Sequence, residues 1–152
     1  MARQQTGEQS LSKQEQIASQ FYRSFAAGEI ESALAVFADR VEMVDPGLGM
    51  VQGLPAFREY LVGFKRAMPD AHAVVSRMYE SGDTIIVEGR LLGTHAGPMA
   101  GPDGDIPPSG RSIDVAFADF CQIQQGRIVA YHTYYDQVSL LTQLGLMPEP
   151  SA

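Results

Sequence analysis

The hydrophobic pattern of this chain changes period once, near Pro69, and that change narrows the possible architectures more than any other feature. Before it, apolar residues recur at helical spacing; after it, they alternate or run as strands. Ile17, Phe21, Tyr22 and Phe25 follow a Ser12-x-x-Glu15 capping box and stop at Gly28. A second helix is expected over about 30–38, burying Leu34 and Phe37. VEMV (41–44) reads as a short strand running into Asp45-Pro46-Gly47. Pro55 suits the first turn of a third helix, striped by Phe57, Tyr60, Leu61, Phe64 and Met68 and ended by Pro69.

Segments 71–80, 84–95, 111–124 and 127–136 are β-rich, with breaks at Ser81-Gly82-Asp83, at GPMAGPDGDIPPSG (97–110) and at Gln125-Gly126. The Gly/Pro stretch is expected to be a loop without regular structure, with its flanking strands paired across it. A short last helix follows, capped by Asp136, with Leu140, Leu141 and Leu144 inside and Gly145 closing it. Helices first and strands after imply an α+β fold, with N-terminal helices over the concave face of a curved antiparallel sheet. The part of that face left uncovered is a natural pocket. The expected organisation is a polar, frayed tail (1–11), one domain (12–148) and a short C-terminal tail (149–152).

Composition mainly excludes. With 152 residues and 45% hydrophobic content, one domain with a sizeable core is expected. The net charge of -7, with no basic cluster to offset it, argues against nucleic acid as a partner. The single cysteine, Cys121, excludes an internal disulfide framework and a cysteine-based zinc site. His72, His95 and His132 have no metalloprotease spacing, and no metal or organic cofactor is expected. No apolar run reaches membrane-spanning length and no signal peptide is visible, so no membrane is expected and the simplest location is cytoplasmic.

The strand VAFADFCQI (115–123) sets the chemical question. Phe117, Asp119 and Cys121 fall on one face; Ala116, Ala118 and Phe120 fall on the other. A carboxylate on an apolar face is paired, protonated or kept for chemistry, because an unpaired buried charge costs several kcal/mol. Arg90 and Arg111 are the nearby basic candidates for a partner, although Arg90 alternates with the inward Gly89 and Leu91. The strand is apolar on both faces, so its convex face is expected to be covered, most economically by a second copy of the chain in a homodimer.

GTHAG (93–97), IPPSGR (106–111), QGRIVAYHTYYD (125–136) and LLTQLG (140–145) resemble the SnoaL-like polyketide cyclase family, within the nuclear-transport-factor-2-like superfamily of cone-shaped α+β barrels. The resemblance runs from about Gln16 to Pro148. FAAGEIESALAVFADRVEMVDPG (25–47) also looks like ketosteroid isomerase. That family's general base matches Asp45, and its second acidic group, a protonated donor in the oxyanion hole, matches Asp119. The same family is a worked case of a neutral buried carboxyl. Its oxyanion-hole tyrosine falls at Phe21, and the adjacent Tyr22 is expected to point elsewhere. The cyclase pattern places its acid/base aspartate at Thr133, its pocket histidine at Asp119 and its pocket asparagine at Asp45. The limonene epoxide hydrolase pattern places its arginine and two aspartates at Gly89, Leu91 and Thr133, which disfavours that mechanism.

The resemblance implies a small-molecule cyclase or isomerase acting on a hydrophobic, oxygenated substrate, polyketide-like or terpenoid. Asp45 would remove a proton beside a carbonyl and Asp119 would stabilise the enolate. The plainer reading of Asp45 is a turn residue before Pro46-Gly47. Substrate would be bound by Phe21, Phe25, Leu91, His95, Phe117, Tyr131, Thr133 and Tyr135. The alternatives are a non-catalytic ligand-binding protein of the same fold, or an epoxide-hydrolase-like or cyclase-like enzyme of secondary metabolism. His132 is expected to face outward, Cys121 to be a buried thiol rather than a nucleophile, and Met43, Met50, Met68 and Met78 to fill core or pocket.

Overall fold

The computed structural model describes residues 2–4 and 10–147. Four helices and nine strands follow in the order β1 (Ala2–Gln4), α1 (Lys13–Ala27), α2 (Ile30–Leu34), β2 (Phe37–Asp45), β3 (Gly49–Gln52), α3 (Leu54–Ala67), β4 (His72–Ser81), β5 (Thr84–Thr94), β6 (Met99–Gly101), β7 (Gly104–Ile106), β8 (Ser112–Gln124), β9 (Arg127–Tyr135) and α4 (Gln137–Gln143). Seven strands form one curled sheet in the order β1-β4-β5-β8-β9-β2-β3. Every pairing in it is antiparallel except β2 with β9. Register shifts in the β4–β5, β8–β9 and β2–β9 ladders mark the irregularities that bend such a sheet.

The helices start and stop where their caps dictate. Ser12 Oγ accepts from the Glu15 amide at 3.1 Å while Glu15 accepts from the Ser12 amide at 3.3 Å. Gly28, at φ +75°, ends α1 in the left-handed conformation that glycine tolerates best. One face of α1 buries Ala18, Phe21, Tyr22 and Phe25 against the sheet, and α3 adds Phe57 and Leu61. Asp136 caps α4 by accepting from the Ser139 amide at 3.0 Å.

Four expectations are corrected. Helix α2 ends at Leu34, because Phe37 enters β2 and pairs with Ile128 of β9; Phe37 is buried as expected, but in the sheet. Ala2–Gln4, within the stretch expected to fray, pair with Arg77–Tyr79 of β4; residues 5–9 of that stretch, and the C-terminal 149–152, lie outside the described residues. The Gly/Pro stretch holds a hairpin, β6–β7, turning over Pro102-Asp103 with Gly104 at φ +111°. Its base is tied to the end of α3 by the Ala96 and Gly97 amides on the Ala67 carbonyl and by the Arg66–Asp105 ion pair. Met50, finally, lies on β3 and is 57% exposed, whereas Met43, Met68 and Met78 are buried.

The flanking strands do pair across the Gly/Pro stretch, in register from Thr84↔Gln122 to Thr94↔Ser112. Strand β8 alternates strictly: Ile113, Val115, Phe117, Asp119, Cys121 and Ile123 are buried, and Ala116 and Phe120 face out. Among the described residues no helix is long and apolar enough to cross a membrane.

Candidate active site

A cavity opens between α1, α3 and the concave face of the sheet. Its lining is almost entirely apolar: Phe21, Phe25, Leu61, Phe64, Ala73, Leu91, Val115, Phe117 and Leu140. Four phenols (Tyr22, Tyr60, Tyr131, Tyr135), Thr133 and one carboxylate, Asp119, supply its polar groups.

Strand alternation and helix spacing bring these groups together. Tyr131, Thr133 and Tyr135 share the inner face of β9, and Thr133 stands opposite Asp119 in the β8–β9 ladder. Asp119 is 1% exposed. Its Oδ2 accepts from Tyr22 Oη at 2.6 Å and from Tyr131 Oη at 2.8 Å. Its Oδ1 is buried without a hydrogen-bond partner. Burial is the chief cause that raises this carboxyl to about 6; Thr133, Tyr22 and Tyr131 oppose the shift, and the Asp45 charge adds to it. Thr133, opposite Asp119 in the ladder, is the nearest hydroxyl influence on the carboxyl after burial, although no well-formed hydrogen bond reaches Oδ1.

Burial thus moves Asp119 in the direction expected of a neutral carboxyl, and its Oδ2 accepts two hydrogen bonds. Arg90 is not its partner: it pairs with Asp114 on the outer face at 2.6 Å. The Arg111 guanidinium lies against Gly145.

Asp45 is also buried, at 3% exposed, but it is not part of the cavity lining. Its Oδ1 accepts from the amides of Gly47 (2.7 Å) and Leu48 (3.2 Å), the turn expected of Asp-Pro-Gly, and from Tyr135 Oη at 3.1 Å. Its Oδ2 accepts from Tyr60 Oη at 3.2 Å. The turn reading of Asp45 holds, whereas the expected general base stands outside the cavity lining and touches it only through two tyrosines.

Of the residues expected to bind substrate, Phe21, Phe25, Leu91, Phe117, Tyr131, Thr133 and Tyr135 line the cavity. His95 does not. It is buried at the loop base, where its Nδ1 accepts from the Ser109 amide at 3.2 Å and lies 2.9 Å from Ser109 Oγ. Tyr22 was expected to point away, yet its hydroxyl reaches Asp119. Tyr60 carries no role in the sequence reading; the helical stripe containing it was the only signal. All four phenols are held protonated: burial, then a neighbouring carboxylate, pushes each pKa upward. Burial and Asp119 likewise push the Cys121 thiol up, which keeps it an inert thiol. His132 faces out and pairs with Glu42 at 3.1 Å. Among the described residues no group of three or more His, Cys, Asp or Glu could hold a metal ion.

A curled sheet closed by helices over an aromatic cavity with an internal carboxylate is the nuclear-transport-factor-2-like class of α+β proteins. The chain belongs to the SnoaL-like polyketide cyclase family, whose model matches residues 16–144. Similar solved structures include one from Jannaschia sp. CCS1, provisionally a SnoaL-like polyketide cyclase, at 18% identity over 92% of this chain and 99% of that one (TM-score 0.79). IdmH from Streptomyces antibioticus, with a provisional polyketide cyclase assignment, is 22% identical over 88% and 99% of the two chains (TM-score 0.74). A nuclear-transport-factor-2-like protein of unknown function from Burkholderia pseudomallei K96243 is 20% identical over 88% and 98% (TM-score 0.73). A comparison with curated proteins found no match.

Proposed function

We propose that this chain is an acid–base catalyst of the polyketide cyclase type, with Asp119 as the proton acceptor. The observation that carries this reading is the free, buried Oδ1 of Asp119 in an aromatic cavity, on a carboxyl raised to about 6. A base works best with a pKa near the operating pH, and burial supplies that here. The substrate is a hydrophobic, oxygenated molecule, polyketide-like or terpenoid.

In the reaction the C–H bond beside a carbonyl breaks. Its proton goes to Oδ1 and its electron pair becomes an enolate. As Asp119 loses its charge, the Tyr22 and Tyr131 hydroxyls are free to follow the charge to the new oxyanion, and Thr133 is the further hydroxyl on that wall. The enolate carbon then attacks a second carbonyl in cyclisation, or is reprotonated at another carbon in isomerisation. Asp119 returns the proton in either case, so the step is redox-neutral. Asp45 acts at one remove by fixing Tyr60 and Tyr135.

The test is α-proton exchange in D2O with 2-tetralone, an apolar ring ketone, followed by NMR. Wild-type protein is expected to exceed the buffer rate, and Asp119→Asn to lose that excess by a factor on the order of 100 or more. Wild-type exchange in a folded Asp119→Asn variant overturns the assignment. No exchange above buffer in the wild type would favour a ligand-binding protein of the same fold.

A further inference from the structure

The hydrogen-bond inventory of the cavity is one-sided. Each of its four phenolic hydrogens is already given to a carboxylate, Tyr22 and Tyr131 to Asp119, Tyr60 and Tyr135 to Asp45. A phenol donates once, so while both carboxylates are ionised these oxygens can only accept from an incoming ligand. Asp119 Oδ1 adds an acceptor with no partner at all. Thr133 adds one hydroxyl beside Asp119, and among the described residues no Lys, Arg or His lines the cavity. Lys65 sits 4.6 Å from the centre of the Phe25 ring on the aromatic wall, but the carbonyls of Ala26, Pro69 and Ala71 take its donors. Asp119 and Asp45 therefore lack a cationic partner among the described residues, which is the costly arrangement for buried charge.

From this we infer that the cavity selects ligands by a hydrogen-bond donor, an enol or phenol O–H or a protonated amine on an apolar ring, that meets Asp119 Oδ1, and that it rejects anions. A donor satisfies the orphaned oxygen; a carboxylate or phosphate would place like charge beside it with one hydroxyl to receive it. The inference rests on the reading that Asp119 Oδ1 faces the substrate, but it concerns recognition and not turnover.

Four probes of one ring system test it by calorimetry at pH 7.5: 2-naphthol, 2-naphthylmethylamine as its ammonium, 2-methoxynaphthalene and 2-naphthoate. The two donors are expected to bind the wild type about tenfold or more tighter than the methoxy compound, and naphthoate to bind weakest. The order of the two donors shows which source of N–H or O–H the site is built for. Asp119→Asn, checked by circular dichroism and thermal melting, turns the Oδ1 edge into a donor, so the donor preference is expected to collapse and naphthoate to gain. Naphthoate binding the wild type as tightly as naphthol, an unchanged order in the variant, or no wild-type binding at the solubility limit overturns the inference. Selectivity without 2-tetralone exchange overturns only the catalytic reading; exchange without selectivity overturns only this one.

Discussion

The hydroxyl of Tyr22 lies 2.6 Å from Oδ2 of Asp119, joining α1 to β8 across 97 residues of sequence. This bond and its twin from Tyr131 occupy one oxygen of the carboxylate and leave the other buried without a hydrogen-bond partner. Much of the expected behaviour of the protein follows from that division.

The pH dependence follows first. A base with a pKa of about 6 is active when ionised, so kcat/KM is expected to rise with pH through about 6 and level off above it. Stability should run the opposite way. The folded pKa lies above the ordinary value of 3.8, so the native state holds this proton more tightly than the unfolded chain does. The contribution of Asp119 is therefore most favourable below about 3.8 and declines as pH rises to about 6. Asp119→Asn should be more stable than wild type at pH 8, by on the order of 1–3 kcal/mol, with the advantage shrinking below pH 5. Urea melts at the two pH values check this; a variant less stable at pH 8 would contradict it.

Tyr22→Phe removes one of the hydrogen bonds that hold the Asp119 carboxyl down. Its pKa is then expected to climb further, moving the acid limb of the rate profile to higher pH. The lost bond to a charged acceptor should also cost roughly 1.5–3 kcal/mol of stability. Paired pH–rate profiles of wild type and variant report the shift, and an unmoved limb would show that Tyr22 does not tune the base.

Asp45 is expected to matter for positioning. In Asp45→Asn the amide oxygen can still accept from the Gly47 and Leu48 amides, so the turn survives while the charge that orders Tyr60 and Tyr135 is gone. The expected result is a higher KM with the acid limb near its wild-type position. Asp45→Ala additionally leaves two half-buried phenols without their acceptor and should cost a further 1–3 kcal/mol or so. A pH-independent loss of kcat in Asp45→Asn, comparable with that of Asp119→Asn, would return the role of base to Asp45.

Gly89 on β5 tests the shape of the cavity. A Cβ there would collide with the Val74 carbonyl of the neighbouring strand and stand 3.1 Å from the Phe117 ring. The carbonyl belongs to the β4–β5 ladder and cannot swing away without breaking it. Gly89→Ala should therefore destabilise the fold by roughly 1–3 kcal/mol, displace Phe117 and weaken ligand binding. A melting temperature equal to that of the wild type would rule this out.

The outer face of the sheet carries an exposed aromatic pair. Phe120 (40% exposed) and Tyr134 (50% exposed) meet edge to face on it, with ring centres 5.7 Å apart. We propose that a second copy covers this pair. The double substitution Phe120→Lys, Tyr134→Lys is expected to halve the mass measured by light scattering; a wild-type monomer at micromolar concentration would refute the dimer.

Several features were legible because they depend on neighbours in sequence. The α1 capping box, the α4 cap at Asp136 and the inward set Phe117, Asp119 and Cys121 on β8 follow from local hydrogen bonds and the two-residue period of a strand. Local pattern misled where a distant partner competes. Residues after Leu34 suit a helix, yet Phe37 exchanges helix for a parallel ladder with β9. The Gly/Pro stretch reads as irregular, yet contacts with α3 hold a hairpin within it.

By itself the sequence determined the α+β order of elements, the strand that carries Asp119 and most of the aromatic lining. Only the tertiary structure decided which polar group faces which. The α1 spacing brings both Phe21 and Tyr22 inward, and packing against β8 and β9 aims the Tyr22 hydroxyl at Asp119. Tertiary packing adds the Tyr60 and Tyr135 hydroxyls to the two turn amides on Asp45, while leaving one oxygen of Asp119 with no donor. Hydrogen bonds between residues nearly a hundred positions apart depend on packing angles that no local period encodes, so the division of labour between the two carboxylates exists only in the folded chain.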